Sequence, residues 1–113
     1  MVEYRVVFQV PQAGAEFHET VLRNVRNVGA ELGDVAIRVL AHGPGIEFTT
    51  GRTAASAGVV EVIESGVEVF ACRNTLRRKD ISEDELLPGV QLIPAGLAAL
   101  VRWQHEGWAY IHP

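Results

Sequence analysis

Cys72 is the only cysteine in this 113-residue chain and its strongest candidate nucleophile. It follows a short apolar run, Val67 to Ala71, that reads as a strand. The polar residues Arg73 and Asn74 come next, and then a segment of helical character carrying Arg77, Arg78 and Lys79. A thiol between a strand end and a helix start is a place where a thiolate can persist. The partial positive charge of the helix N-terminus and nearby cations both favour the anion, lowering the pKa from its free value of about 8.5. Two readings of Cys72 follow from the residues: a reactive thiol displayed on a turn, or a small buried hydrophobe, the commoner fate of a free cysteine.

His42 also stands at the end of an apolar run and precedes Gly43-Pro44-Gly45, which places it at a loop. It reads either as a partner of the thiol or as a hydrogen-bonded packing residue. Gly43 and Gly45 line the candidate site or serve only the backbone angles of the loop. Arg73, Asn74 and Thr75 complete the set of candidate site-lining residues, with Arg73 expected to stabilise the thiolate. The cluster Arg77-Arg78-Lys79 is a solvated helix face or an attraction for an acidic partner.

The elements that must position these residues alternate. Residues 3–10 form a first strand of near-continuous apolar character, which implies burial on both faces. A helix follows from about Ala15, with Phe17, Val21, Val25, Val28 and Leu32 on one stripe and Gly29 and Gly33 as stop signals. A second strand covers residues 34–42. Residues 46–50 are ambiguous. A helix capped by Thr53 is expected over residues 53–65. The third strand, 67–71, leads to Cys72. Ser82 and Glu85 have capping-box spacing. A fourth strand spans 90–93, Pro94 suits the first position of a helix, and residues 108–111 make a short fifth strand. This β-α alternation predicts one three-layer α/β/α domain over residues 1–113, with a mostly parallel five-stranded sheet covered by helices on both faces. Ligands of such sheets collect at the carboxyl ends of the strands, which selects Gln9–Gln12, His42–Gly45, Cys72–Thr75 and Pro94-Ala95.

Composition narrows the chemistry. Hydrophobic residues make 48% of the chain and charged residues 21%, which excludes a disordered polymer. A net charge of −4 argues against nucleic acid as a partner. No apolar run reaches the ~20 residues that span a bilayer, so no membrane role is expected. A lone thiol and no secretory leader pattern point to the cytoplasm. One cysteine and four scattered histidines (18, 42, 105 and 112) offer no metal-site spacing. With neither a dinucleotide fingerprint nor a phosphate loop, no cofactor is expected. Trp103, Trp108 and the alanine-rich start of the 53–65 helix read either as core or as a surface for self-association.

The segments GVEVFACRNTLRR (66–78) and LLPGVQLIPAGLAALVRWQHEGWAYIHP (86–113), with HGPG at 42–45, resemble the DsrE/DsrF-like family, including its small YchN-like members. The resemblance covers most of the chain, is weakest over residues 11–33, and is fairly specific from residue 66 onward. It implies a three-layer α/β fold that assembles as a trimer or hexamer. It also implies a role for Cys72, since sulfur-relay members use a cysteine before an LRR-bearing helix to accept and pass on persulfide sulfur. Cys72 followed by Leu76-Arg77-Arg78 matches that arrangement; Arg73-Asn74-Thr75 departs from the small apolar residues expected there. The implied function is a persulfide carrier working between sulfur donor and acceptor proteins. The alternative is a noncatalytic, oligomeric small-ligand-binding protein in which Cys72 is structural.

Overall fold

The computed structural model describes residues 2–113. Five strands form one sheet: β1 (Tyr4–Val10), β2 (Val35–Ala41), β3 (Glu68–Cys72), β4 (Gln91–Ile93) and β5 (Ala109–Ile111). Their order is β4-β3-β2-β1-β5, and every pairing is parallel. The expected α/β fold with a mostly parallel sheet is therefore observed in its fully parallel form. β1, β2 and β3 are the inner strands and the longest, and their apolar runs are largely buried, as strands covered on both faces require.

The helices are α1 (Ala15–Leu32), α2 (Ser56–Glu64), α3 (Arg73–Arg78) and α4 (Gly96–His105). Side chains alternate across the sheet, so each strand feeds two cores. Val6, Phe8, Val10, Ile37, Val39 and Val69 meet Val21, Leu22 and Val25 of α1 and Val59 and Val62 of α2. On the opposite face Val7, Leu40 and Phe70 meet Ala99, Leu100 and Trp103 of α4, together with Trp108. Leu76 of α3 packs with Ile46, Ala71 and Ile81 in a smaller cluster.

Several local expectations are revised. The helix expected from Thr53 begins at Ser56, because Thr53 caps a preceding turn: its hydroxyl accepts the Ala55 N–H and its carbonyl the Ser56 N–H. The Gly43-Pro44-Gly45 loop and the ambiguous segment after it form a 3-10 helix, Gly43–Thr49. Pro94 lies before α4, its carbonyl accepting the Asn74 N–H at 3.3 Å. The Ser82–Glu85 capping box is present, opening a single 3-10 turn. Trp103 and Trp108 are core residues at 8% exposure each, with the Arg38 guanidinium 4.8 and 4.0 Å from their ring centres. The apolar residues left open on α4 are Leu97 and Val101, one turn apart, at 60% and 57% exposure.

Candidate functional site

Strand order brings the candidate residues together. Ala41 and Ala71 are partners in the β2–β3 ladder, so the next residues, His42 and Cys72, leave the sheet side by side at its carboxyl edge. Cys72 has the parity of Phe70 and shares that residue's face of the sheet, the one covered by α4. His42, Cys72, Asn74, Thr75 and Arg78 line one pocket of about 210 Å³, closed by Ala95 to Ala98 at the start of α4.

Two helix starts converge on the sulfur. α3 begins at the residue after Cys72, and the N–H of Gly96, first residue of α4, donates to Cys72 Sγ at 3.4 Å. Burial pushes the thiol up and is the largest single influence. The Thr75 hydroxyl and the backbone N–H groups of Thr75, Gly96 and Asn74 together outweigh it and hold Cys72 below its ordinary pKa. Thr75 Oγ1 itself accepts the Gly43 N–H at 3.0 Å, which leaves the hydroxyl proton for the sulfur. Cys72 is only 5% exposed, so the thiol is a buried group solvated by protein dipoles.

Gly96 packs beside both Cys72 and His42. A Cβ there would stand 3.4 Å from Cys72 Cβ and 3.5 Å from His42 Cβ. The start of α4 thus lies next to both residues, at distances that are ordinary van der Waals contact for a side chain there. His42 is held below its usual pKa by burial and, secondarily, by the Arg78 guanidinium. Its Nε2 lies 2.7 Å from the Gln9 side-chain nitrogen, and the Tyr110 hydroxyl donates to Gln9 Oε1.

The other candidates take different places. Arg73 is not in the pocket wall: its guanidinium faces Glu83 at 3.5 Å, on the far side of the turn. The cation beside the site is Arg78, one helical turn on, whose Nη2 lies 3.5 Å from Thr75 Oγ1. Gly43 reaches the site only through its N–H. Gly45 is outside the wall, where a Cβ would fall 2.0 Å from the Val10 carbonyl oxygen, so its role is close backbone approach. Reasoning from the sequence left out Arg78 as a wall residue, and Gly96 and Tyr110 altogether. The i, i+3 spacing of Thr75 and Arg78 was an available signal; Tyr110 depended on β5 pairing with β1.

Two larger hollows have different character. One of about 360 Å³ lies at the opposite edge of the sheet, where Arg26, its only charged wall residue, pairs with Glu61. One of about 300 Å³ adjoins the start of α1, with His18, Glu47 and Arg52 in its wall. Neither contains a nucleophile of the strength of Cys72. Among the described residues, no three His, Cys, Asp or Glu side chains converge as a metal site, and no helix is long and apolar enough to cross a membrane.

The comparisons with known proteins agree with this architecture. The structure superimposes on the protein of unknown function MTH1491 from Methanobacterium thermoautotrophicum with a TM-score of 0.94. The two are 39% identical, over 98% of this chain and 100% of the other. The ychN protein from E. coli shares the fold, at TM-score 0.74 and 17% identity over the full length of both chains. No curated protein matches the sequence. A family model described as the DsrE/DsrF-like family matches residues 6–113; the chain belongs to that family.

Proposed function

We propose that the protein carries sulfur as a persulfide on Cys72. The observation that carries this reading is the thiol's setting: hydrogen-bond donors from Gly96, Thr75 and Asn74 favour the thiolate within a pocket that also holds His42 and Arg78. The thiolate attacks the outer sulfur of a donor persulfide, forming the Cys72 S–S bond. The donor's S–S bond breaks, and its inner sulfur departs as a thiolate with the bonding electron pair. An acceptor thiolate later takes the outer sulfur in the same way and restores Cys72. No net oxidation occurs. Intact mass measurement after incubation with a persulfide donor tests this. One added sulfur on the wild type and none on Cys72→Ser is expected; an unchanged mass, under conditions that load a known carrier, overturns it.

The low exposure of Cys72 favours one competing reading, a noncatalytic small-ligand-binding protein with a structural cysteine. Under it the native thiol resists alkylation and Cys72→Ser keeps full cellular function.

The sulfur-carrier reading includes self-association as a trimer or hexamer, with donor and acceptor proteins as transient partners. Leu97 supports it, being at once a wall of the Cys72 pocket and, with Val101, part of the open apolar stripe on α4. A second copy on that stripe would narrow the pocket mouth.

A further inference from the structure

We infer that Gln9 and Tyr110 are positioning residues that hold His42 in its Nδ1-protonated form, so that it serves the Cys72 pocket as a hydrogen-bond donor and not as a base. The consequence for sulfur transfer rests on the carrier reading above; the tautomer itself does not.

The argument begins with Gln9, whose side-chain nitrogen lies 2.7 Å from His42 Nε2. An amide nitrogen has hydrogens to give and no lone pair to offer, so Nε2 must be the acceptor and the neutral ring carries its proton on Nδ1. Tyr110 holds the other end of the amide in this orientation, its hydroxyl donating to Gln9 Oε1. The three residues come from consecutive strands of the sheet: Tyr110 from β5, Gln9 from β1, and His42 from the end of β2. Tyr110 pairs with Val7 and Gln9 with Leu40, and both partners belong to the α4-side core, so the chain of hydrogen bonds lies on the Cys72 face.

The surrounding charges favour the same state. The titratable or charged groups around His42 are Cys72 from β3, Arg78 from α3 and, behind Gln9, Tyr110 from β5. α4 contributes only Ala95 to Ala98. Burial and Arg78 both oppose the imidazolium. A protonated Nε2 would in addition face the amide hydrogens of Gln9, donor against donor.

His42 therefore does not take the Cys72 proton at Nε2. The thiol loses that proton to solvent, its anion held by Thr75 and the backbone donors. Nδ1–H is the ring group left for a ligand, and it can donate to the outer sulfur anion of a Cys72 persulfide or to a departing thiolate.

Long-range ¹H–¹⁵N correlation spectra of the histidine rings in the full chain test this. His42 is expected to show a protonated Nδ1 and a bare Nε2 near neutral pH. Gln9→Glu replaces the donor with an acceptor, and should invert the tautomer and move the His42 titration upward. Tyr110→Phe frees the amide to rotate and should mix the two forms. The pH profile of Cys72 alkylation should show one ionisation in the wild type and a second in Gln9→Glu. A wild-type ring protonated on Nε2, or a Gln9→Glu protein with its tautomer unchanged, overturns the inference. If Gln9→Glu does not fold, the wild-type spectrum alone decides it. Failure of Cys72 to gain sulfur while the tautomer is as described removes the carrier reading and leaves this one standing.

Discussion

Gly96 N–H donates to Cys72 Sγ across 24 residues of sequence, tying the start of α4 to the end of β3 at 3.4 Å. This bond joins two carboxyl-edge segments into one pocket. It also works with a second helix start, since α3 opens immediately after the cysteine. The sulfur therefore gains backbone donors from both sides. The behaviour of the thiol follows.

Alkylation of the native protein should titrate with a midpoint below that of the same thiol in the urea-unfolded chain. The sign follows from the lowered folded pKa. The thiolate's contribution to stability is fully present above the unfolded pKa and is lost as pH falls through the folded one. Rates measured against pH in both states check this; a native midpoint equal to or above the unfolded one would contradict it.

Thr75→Val removes the hydroxyl that faces the sulfur and leaves the Gly43 N–H without its acceptor. The alkylation midpoint should rise toward the ordinary thiol value, slowing the reaction at neutral pH. Stability should fall by about 1–2 kcal/mol for the orphaned donor. Unfolding in urea and the alkylation profile separate the two effects.

Gly45→Ala should be among the most damaging conservative changes in the chain. The added methyl would meet the Val10 carbonyl oxygen at 2.0 Å and its carbon at 2.6 Å, and both of these atoms are backbone. Relief requires shifting the 3-10 segment from the end of β1, at a cost on the order of 3 kcal/mol. A chemical-denaturation midpoint unchanged from wild type would show that the loop yields freely.

Arg38→Ala should destabilise the α4 side of the sheet by about 1–2 kcal/mol. Arg38 stacks against Trp103 and Trp108 while pairing with Glu68 at 3.1 Å. Among the described residues α4 alone of the helices contributes side chains to this core, and the arginine stem covers part of its apolar rings. The share of the loss that comes from covering the rings should persist in high salt while the share from the Glu68 pair is screened, which denaturation at two ionic strengths would check.

Leu97→Glu combined with Val101→Glu should leave the monomer folded, since both side chains are largely exposed, and should abolish self-association. Sedimentation at micromolar concentration reads this directly. A wild-type chain that sediments as a monomer would exclude the proposed assembly.

The sequence by itself determined the alternation of strands and helices, through apolar runs at β1, β2 and β3 and the 3.6-residue stripe of α1. It also determined that Cys72 ends a strand and begins a helix, since both facts are local in the chain. The tertiary structure decided which strands are neighbours. Until β2 and β3 pair, nothing in the spacing puts His42 beside Cys72, and until β5 joins β1, nothing links Tyr110 to Gln9. It also chose the cation: Arg73 is adjacent in sequence yet turns to Glu83, whereas Arg78 is returned to the pocket by one turn of α3. Local pattern records periodicity and burial. It does not record register or the direction of a side chain at a helix start, and the chemistry of Cys72 depends on both.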